Sequence, residues 1–166
     1  MEEKKKHPLV FISYSWDNMI HEKWVRQLAG DLMDNGVKVI LDQWENKPGD
    51  DIPHFMDESG TIAERVICVL TPNYKLKACQ LIGGVGYEYR NITAEMFDNV
   101  LTNKFIPVLR NGSPQESIPV ALFGRVYVDM RDDSKYAEKI EEILREIYNK
   151  PKYPKPKIGL PPRYDY

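Results

Sequence analysis

The sequence has only two cysteines in 166 residues, Cys68 within an apolar run and Cys79 in a polar stretch. That excludes a disulfide framework and fits free thiols in a reducing compartment. Long hydrophobic runs are also missing: residues 66–70 are typical of the longest, against the roughly 20 apolar residues that a membrane helix requires. The opening MEEKKKHPLVFISYSWD is basic at first but has neither a sufficient apolar stretch nor a small-residue cleavage site, so no secretory leader is expected. These absences predict a cytoplasmic protein without a membrane partner and make the sequon at Asn91-Ile92-Thr93 accidental. Charge of one sign is lacking too. Twenty-three basic and 25 acidic side chains leave a net charge of −2, which gives no reason to expect nucleic acid as a partner.

Several chemistries fall with the motifs they need. No Gly-Lys-Ser/Thr phosphate loop occurs, and GGVG at 83–86 has neither the third glycine nor the strand-to-helix position of a dinucleotide fingerprint. His7, His21 and His54 have no metal-ligand spacing, and His21-Glu22 lacks a second histidine four residues on. No metal is expected. Cys68 sits in an apolar run with no histidine partner in view, so thiol catalysis is not expected either.

What is present is an alternation of short apolar runs with amphipathic stretches. Residues 9–12, 37–41, 65–71, 105–109 and 125–130 read as strands. Trp24, Leu28, Leu32 and Met33 recur at helical spacing, with Asp17 or Asn18 as the cap, Asp17 preferred, and Asn35-Gly36 as the stop. A polar loop follows at 42–53, punctuated by Pro48, Gly49 and Pro53, then a short helix at 54–63. Residues 71–90 read as an irregular excursion because of Gly83, Gly84 and Gly86; a helix is expected over 91–101. Ser134 is the expected cap of a last helix through residue 148. Five strands separated by helices predict an α/β fold, a flavodoxin-like five-stranded parallel sheet with helices on both faces. The expected division is a domain over 1–150 and a proline-rich tail or linker over 151–166, which holds five prolines. A tail of this kind joins domains in many proteins, so a fused or partner effector or sensor domain is one expectation and a surface strap another.

In open parallel sheets ligands bind outside the carboxyl ends of the strands. That directs attention to residues 13–17, 42–53 and 71–90. Carboxylates near aromatics are the chemistry left there. Glu95 falls one turn into the helix expected at 91–101, and Glu88 lies between Tyr87 and Tyr89; for either, a solvated or helix-capping carboxylate is the competing reading. Trp16 and Trp44 each follow a strand end in polar company, where an indole either stacks on a planar ligand or packs beneath a loop.

FISYSWD at 11–17, LDQWENKPGDDIP at 41–53, VICVLTPNY at 66–74 and GGVGYE at 83–88 together resemble the bacterial TIR domains, particularly the branch close to SEFIR domains. The resemblance covers about residues 8–150, and the 42–53 segment matches the position of the family's BB loop. It implies the TIR fold and one of two functions. One is NAD+ hydrolysis at the nicotinamide-ribosyl bond, giving nicotinamide and ADP-ribose or a cyclic isomer, with NAD+ as substrate and no other cofactor. The other is a non-catalytic adaptor that acts by self-association with other TIR domains. The family's essential glutamate, early in the helix after the third strand, maps to Glu95. The tryptophan usual four residues earlier is Asn91 here, so Tyr87, Tyr89 or Trp44 is the substitute expected, and the glycine-rich insertion keeps Glu88 as an alternative. By the same resemblance Tyr14 and Trp16 flank the nicotinamide ribose, Ser13 and Asp42 shape the crevice, and bacterial antiviral signalling is the setting. A phospho-acceptor domain of similar outline would want an aspartate at the end of the third strand, where Thr71 stands.

Overall fold

The computed structural model describes residues 6–80 and 102–165. Five parallel strands form one sheet: β1 (Leu9–Tyr14), β2 (Lys38–Ile40), β3 (Arg65–Leu70), β4 (Phe105–Leu109) and β5 (Val128–Asp129). Their order is β2-β1-β3-β4-β5, the doubly wound arrangement in which β1 is the strand where chain direction across the sheet reverses. The expected α/β class and flavodoxin-like sheet are therefore observed.

Alternation along the strands divides the core into two layers. Val10, Ile12 and Tyr14 face one side with Ile67, Val69, Ile106 and Val108, covered by α1 (Met19–Asp34) and by a C-terminal helix at Tyr136–Ile147. Phe11, Val66, Cys68, Leu70, Phe105 and Leu109 face the other, against Met56 of the helix at Ile52–Ile62 and Tyr74 and Ala78 of the helix at Pro72–Gln80. Among the described residues the helices are, in chain order, α1, α2 (Asp42–Glu45), α3 (Ile52–Ile62), α4 (Pro72–Gln80), α5 (Pro114–Ser117) and α6 (Tyr136–Ile147).

Several local expectations are corrected. Asn18, not Asp17, caps α1: its side chain accepts from the His21 N–H at 2.9 Å. Residues 72–80 are helical, because Thr71 caps α4 by accepting from the Tyr74 N–H at 3.1 Å and Pro72 begins the helix where an N–H is dispensable. Cys79 is thus an exposed helical residue. Ser134 lies in a 3₁₀ turn, Asp133–Lys135, capped by Asp132, and α6 starts after it. The polar loop at 42–53 contains the short helix α2, and α3 begins at Ile52. The helix expected at 91–101 and the glycine-rich stretch lie outside the described residues. Past α6, Asn149 takes a positive φ of 52° and residues 150–165 run without helix or strand, exposed throughout.

The fifth strand is shorter than expected, and Pro107 gives the reason. The Val66 N–H donates to the Lys104 carbonyl, and the Arg110 N–H to the Leu70 carbonyl. Even-numbered N–H groups of β4 therefore face β3 and odd-numbered ones face β5. Pro107 has no N–H to offer that edge, so the ladder to β5 begins only at Val108↔Val128.

Leu28 of α1 is fully buried in the first core layer. Leu28→Ala is expected to cost about 2–5 kcal/mol through lost burial and the cavity left behind, read as a drop in the urea midpoint with an unchanged slope.

Candidate functional site

The two flanks of the β1 carboxyl end differ. Toward β3, side chains close the gap. The Ser13 hydroxyl is 3.0 Å from the Tyr74 hydroxyl, and Ser15 Oγ is 3.2 Å from Thr71 Oγ1. The Asp17 carboxylate accepts from Ser15 Oγ and, at 2.8 Å, from Asn73 Nδ2. This network pins the β1–α1 connection to the start of α4.

Toward β2 the surface opens into a crevice of about 390 Å³ lined by Trp16, Glu22, Asp42, Gln43, Lys47 and Asp50 among others. Its far rim is a turn dictated by Lys47-Pro48-Gly49-Asp50. The Asp50 N–H donates to the Lys47 carbonyl at 3.0 Å, Gly49 has φ of 94°, and Pro48 occupies the second position, the signature of a type II turn. Asp50 Oδ2 also accepts from the Lys47 N–H at 2.8 Å, and Asp51 caps α3 from the next position.

Its near wall is Trp16. The Asp17 N–H donates to the Ser15 carbonyl at 3.0 Å, closing a three-residue turn with Trp16 at its centre. The indole is 50% exposed, while its Nε1–H donates to Asp42 Oδ2 at 2.8 Å. Asp42 itself is buried, and its Oδ1 accepts from the Gln43 N–H at 2.8 Å. Gln43 is in turn held by α1, donating to the Glu22 carbonyl at 3.2 Å. A buried carboxylate fixed by two donors thus holds an aromatic ring at the edge of an acidic crevice: Glu22, Asp42 and Asp50 outnumber Lys47. Such a lining suits a planar cationic ring.

Of the residues singled out from the sequence, Trp16 and Asp42 meet in this crevice. Ser13 does not line it; its hydroxyl is buried against Tyr74. Trp44 is half-exposed on α2 and does not line it either. Tyr14 is buried behind the Asp42 side chain. Burial, then the nearby Asp42 carboxylate, pushes its phenol well above the ordinary range. Glu88, Glu95, Tyr87, Tyr89 and Asn91 lie outside the described residues. Gln43, Lys47 and Asp50 fall within the 42–53 segment expected at the crevice although none was singled out, and Glu22 of α1 lies outside every segment expected there.

A match to the family model described as TIR domain spans residues 10–144. The chain belongs to the TIR domain family. Among solved structures it is similar to a prokaryotic SEFIR domain, with 35% identity and a TM-score of 0.71 over 92% of this chain and 99% of that one. The TIR domain of the Toll-related receptor TRR-2 from Hydra magnipapillata matches at 19% identity and a TM-score of 0.59, covering 84% of this chain and 98% of that domain. The TIR domains of the activated Roq1 resistosome, which directly recognises the pathogen effector XopQ, match at 16% and 0.57, covering 84% and 99%. At these identities the last two share the fold alone. No curated protein matches the sequence.

His21, on the first turn of α1, lies beside the site, its ring 6.2 Å from that of Tyr14. Burial lowers its pKa below the ordinary 6.5, Arg110 adds to the fall, and Asp17 and Glu22 oppose it. The unfolded chain then binds a proton that the folded chain refuses. Stability is expected to be whole above pH 6.5 and to decline as the pH drops through the window below it. Denaturation midpoints of the wild type and His21→Gln between about pH 8 and about pH 5 check this, with a flatter profile expected for the variant.

Proposed function

We propose that this TIR domain is an NAD+ glycohydrolase that breaks the nicotinamide-ribosyl bond, releasing nicotinamide and ADP-ribose or a cyclic isomer. The observation that carries the reading is the acidic crevice walled by an indole held on Asp42. The nicotinamide ring of NAD+ is planar and cationic, a chemistry suited to an indole face and surrounding carboxylates. As the C1′–N bond breaks, its electron pair goes to the nicotinamide nitrogen. The ring leaves neutral and the positive charge passes to the ribose, where a carboxylate offsets it until water, or the adenine in cyclisation, attacks. We assign that carboxylate to Glu95, with Glu88 as the alternative. Neither a metal nor an activated nucleophile is required by this route.

Adaptor function through self-association is the second reading. Its support is an apolar surface at the start of α1, where Met19 is 83% and Ile20 81% exposed close to Trp16 in sequence. The two readings are compatible where assembly completes a pocket. Signalling in bacterial antiviral defence is the setting proposed for either.

Concentrated protein incubated with NAD+, alone and with a crowding agent, is expected to release nicotinamide detectable by chromatography. Glu95→Gln should lower turnover by at least about 100-fold while leaving the sedimentation profile unchanged. Loss in Glu88→Gln with activity kept in Glu95→Gln would move the assignment to Glu88. Trp16→Ala should raise KM about 3- to 30-fold, the range of a lost cation–π contact. Absence of nicotinamide under every condition favours the adaptor.

A further inference from the structure

Past α6 the chain holds large apolar side chains in water. Ile158 is 93%, Leu160 96% and Tyr164 70% exposed, and among the described residues no hydrogen bond or ion pair reaches beyond Lys150. Charge does not account for this detachment. Lys150, Lys152, Lys155, Lys157 and Arg163 stand against Asp165, a net +4 on a chain of net −2, so the remaining residues carry −6 and attract the segment. Stiffness does account for it. Pro151, Pro154, Pro156, Pro161 and Pro162 fix their own φ near about −65° and bias Tyr153, Lys155, Leu160 and Pro161, each just before a proline, toward extended backbone. Gly159 adds no left-handed kink, since it is not among the residues of positive φ. A flexible spacer would be rich in glycine and serine; residues 150–165 have the single Gly159 and no serine. As a spacer the segment has no use for Ile158, Leu160 and Tyr164.

We propose that residues 157–164 are a docking peptide, a polyproline II ligand for a groove on a partner protein that is lined by aromatic rings and bordered by carboxylates. A polyproline II helix repeats every three residues. On that period Ile158, Pro161 and Tyr164 share one edge, and Lys157, Leu160 and Arg163 share the next. The first edge is apolar and suits slots between aromatic rings, spaced roughly 9 Å apart at three residues of about 3.1 Å each. The second brings two cations to the groove's border, where carboxylates bind them. Because proline restricts the free chain to the conformation that binds, little ordering entropy is lost on docking. An anionic lipid surface would attract the same cations. It would have no use for the prolines or for the division into two edges, which is why a protein groove is the partner the sequence fits. This role is independent of the crevice and of NAD+.

The test is calorimetric titration of the full chain with a WW domain that binds Pro-Pro-x-Tyr peptides, the spacing of Pro161, Pro162 and Tyr164. Saturable binding is expected for the wild type. Pro161→Ala and Tyr164→Ala should each weaken it by about 10-fold or more, the scale of a lost anchor in an aromatic pocket. Lys157→Glu with Arg163→Glu should also weaken it and flatten its dependence on salt, while Pro151→Ala, outside the segment, should leave it unchanged. All these residues lie in the exposed segment, so the variants should keep the wild-type circular dichroism and thermal midpoint. No heat of binding up to millimolar domain overturns the proposal. So does binding that survives both Pro161→Ala and Tyr164→Ala, because the contact is then charge alone. Tighter capture by phosphatidylserine vesicles than by the domain, undiminished in Pro161→Ala, makes the segment a lipid contact and overturns the proposal as well. None of these readouts depends on nicotinamide release, so failure of the hydrolase reading leaves the docking peptide standing, and the reverse holds too.

Discussion

One strand, β1, has to satisfy two neighbours and two cores at once. It is paired on both edges, with β2 through Leu9↔Lys38 to Phe11↔Ile40 and with β3 through Val10↔Arg65 to Tyr14↔Val69. Its side chains alternate between the α1/α6 layer and the α3/α4 layer. A slip of one residue would exchange the two faces and send Phe11 into the space built for Ile12. The register is thus fixed by packing on both sides, and with it the position of every residue that follows. Ser13 and Tyr14 complete the strand, Ser15 and Asp17 reach β3, and Trp16 is left for the opposite flank.

That asymmetry explains why the site lies where it does. Sheets of this order commonly place ligands where the strand order reverses, which here offers the two flanks of β1. Short hydroxyl and amide side chains, Ser13, Ser15, Thr71 and Asn73, hydrogen-bond across the β3 flank and fill it. The β2 flank has a two-edged advantage for binding: β2 is three residues long and the chain turns at once into α2, leaving room beyond the strand end. Carboxylates rather than small hydroxyls border that space.

Much of this was legible in the sequence because the informative residues act locally. The five apolar runs gave five strands, the end of the first pointed to Trp16, and the resemblance to TIR domains added Asp42. Elsewhere one local signal masked another. The glycines at 83–86 drew residues 71–90 into a single irregular segment, although Thr71-Pro72 is a helix start on its own terms. Asp17 and Asn18 are equivalent as caps by type, and only the tertiary partner Asn73 diverts Asp17 to another use. The length of β5 depends on which way the Pro107 nitrogen faces, a fact of pairing that no window of sequence contains. Ser13 read as a pocket residue because it ends an apolar run; its hydroxyl partner on α4, Tyr74, was hidden in the misread segment.

The Lys47-Pro48-Gly49-Asp50 rim bears on how a guest would be received. Proline restricts the unfolded and unbound chain to the backbone angle the turn already uses, and glycine removes the strain of the positive φ. The reciprocal bonds between Lys47 and Asp50 hold the result. A rim assembled in this way before any guest arrives spares association the entropy of ordering a loop. Recognition at this edge is therefore closer to fitting a template than to closing a lid, and discrimination between guests falls to the one wall of the crevice that is a single side chain.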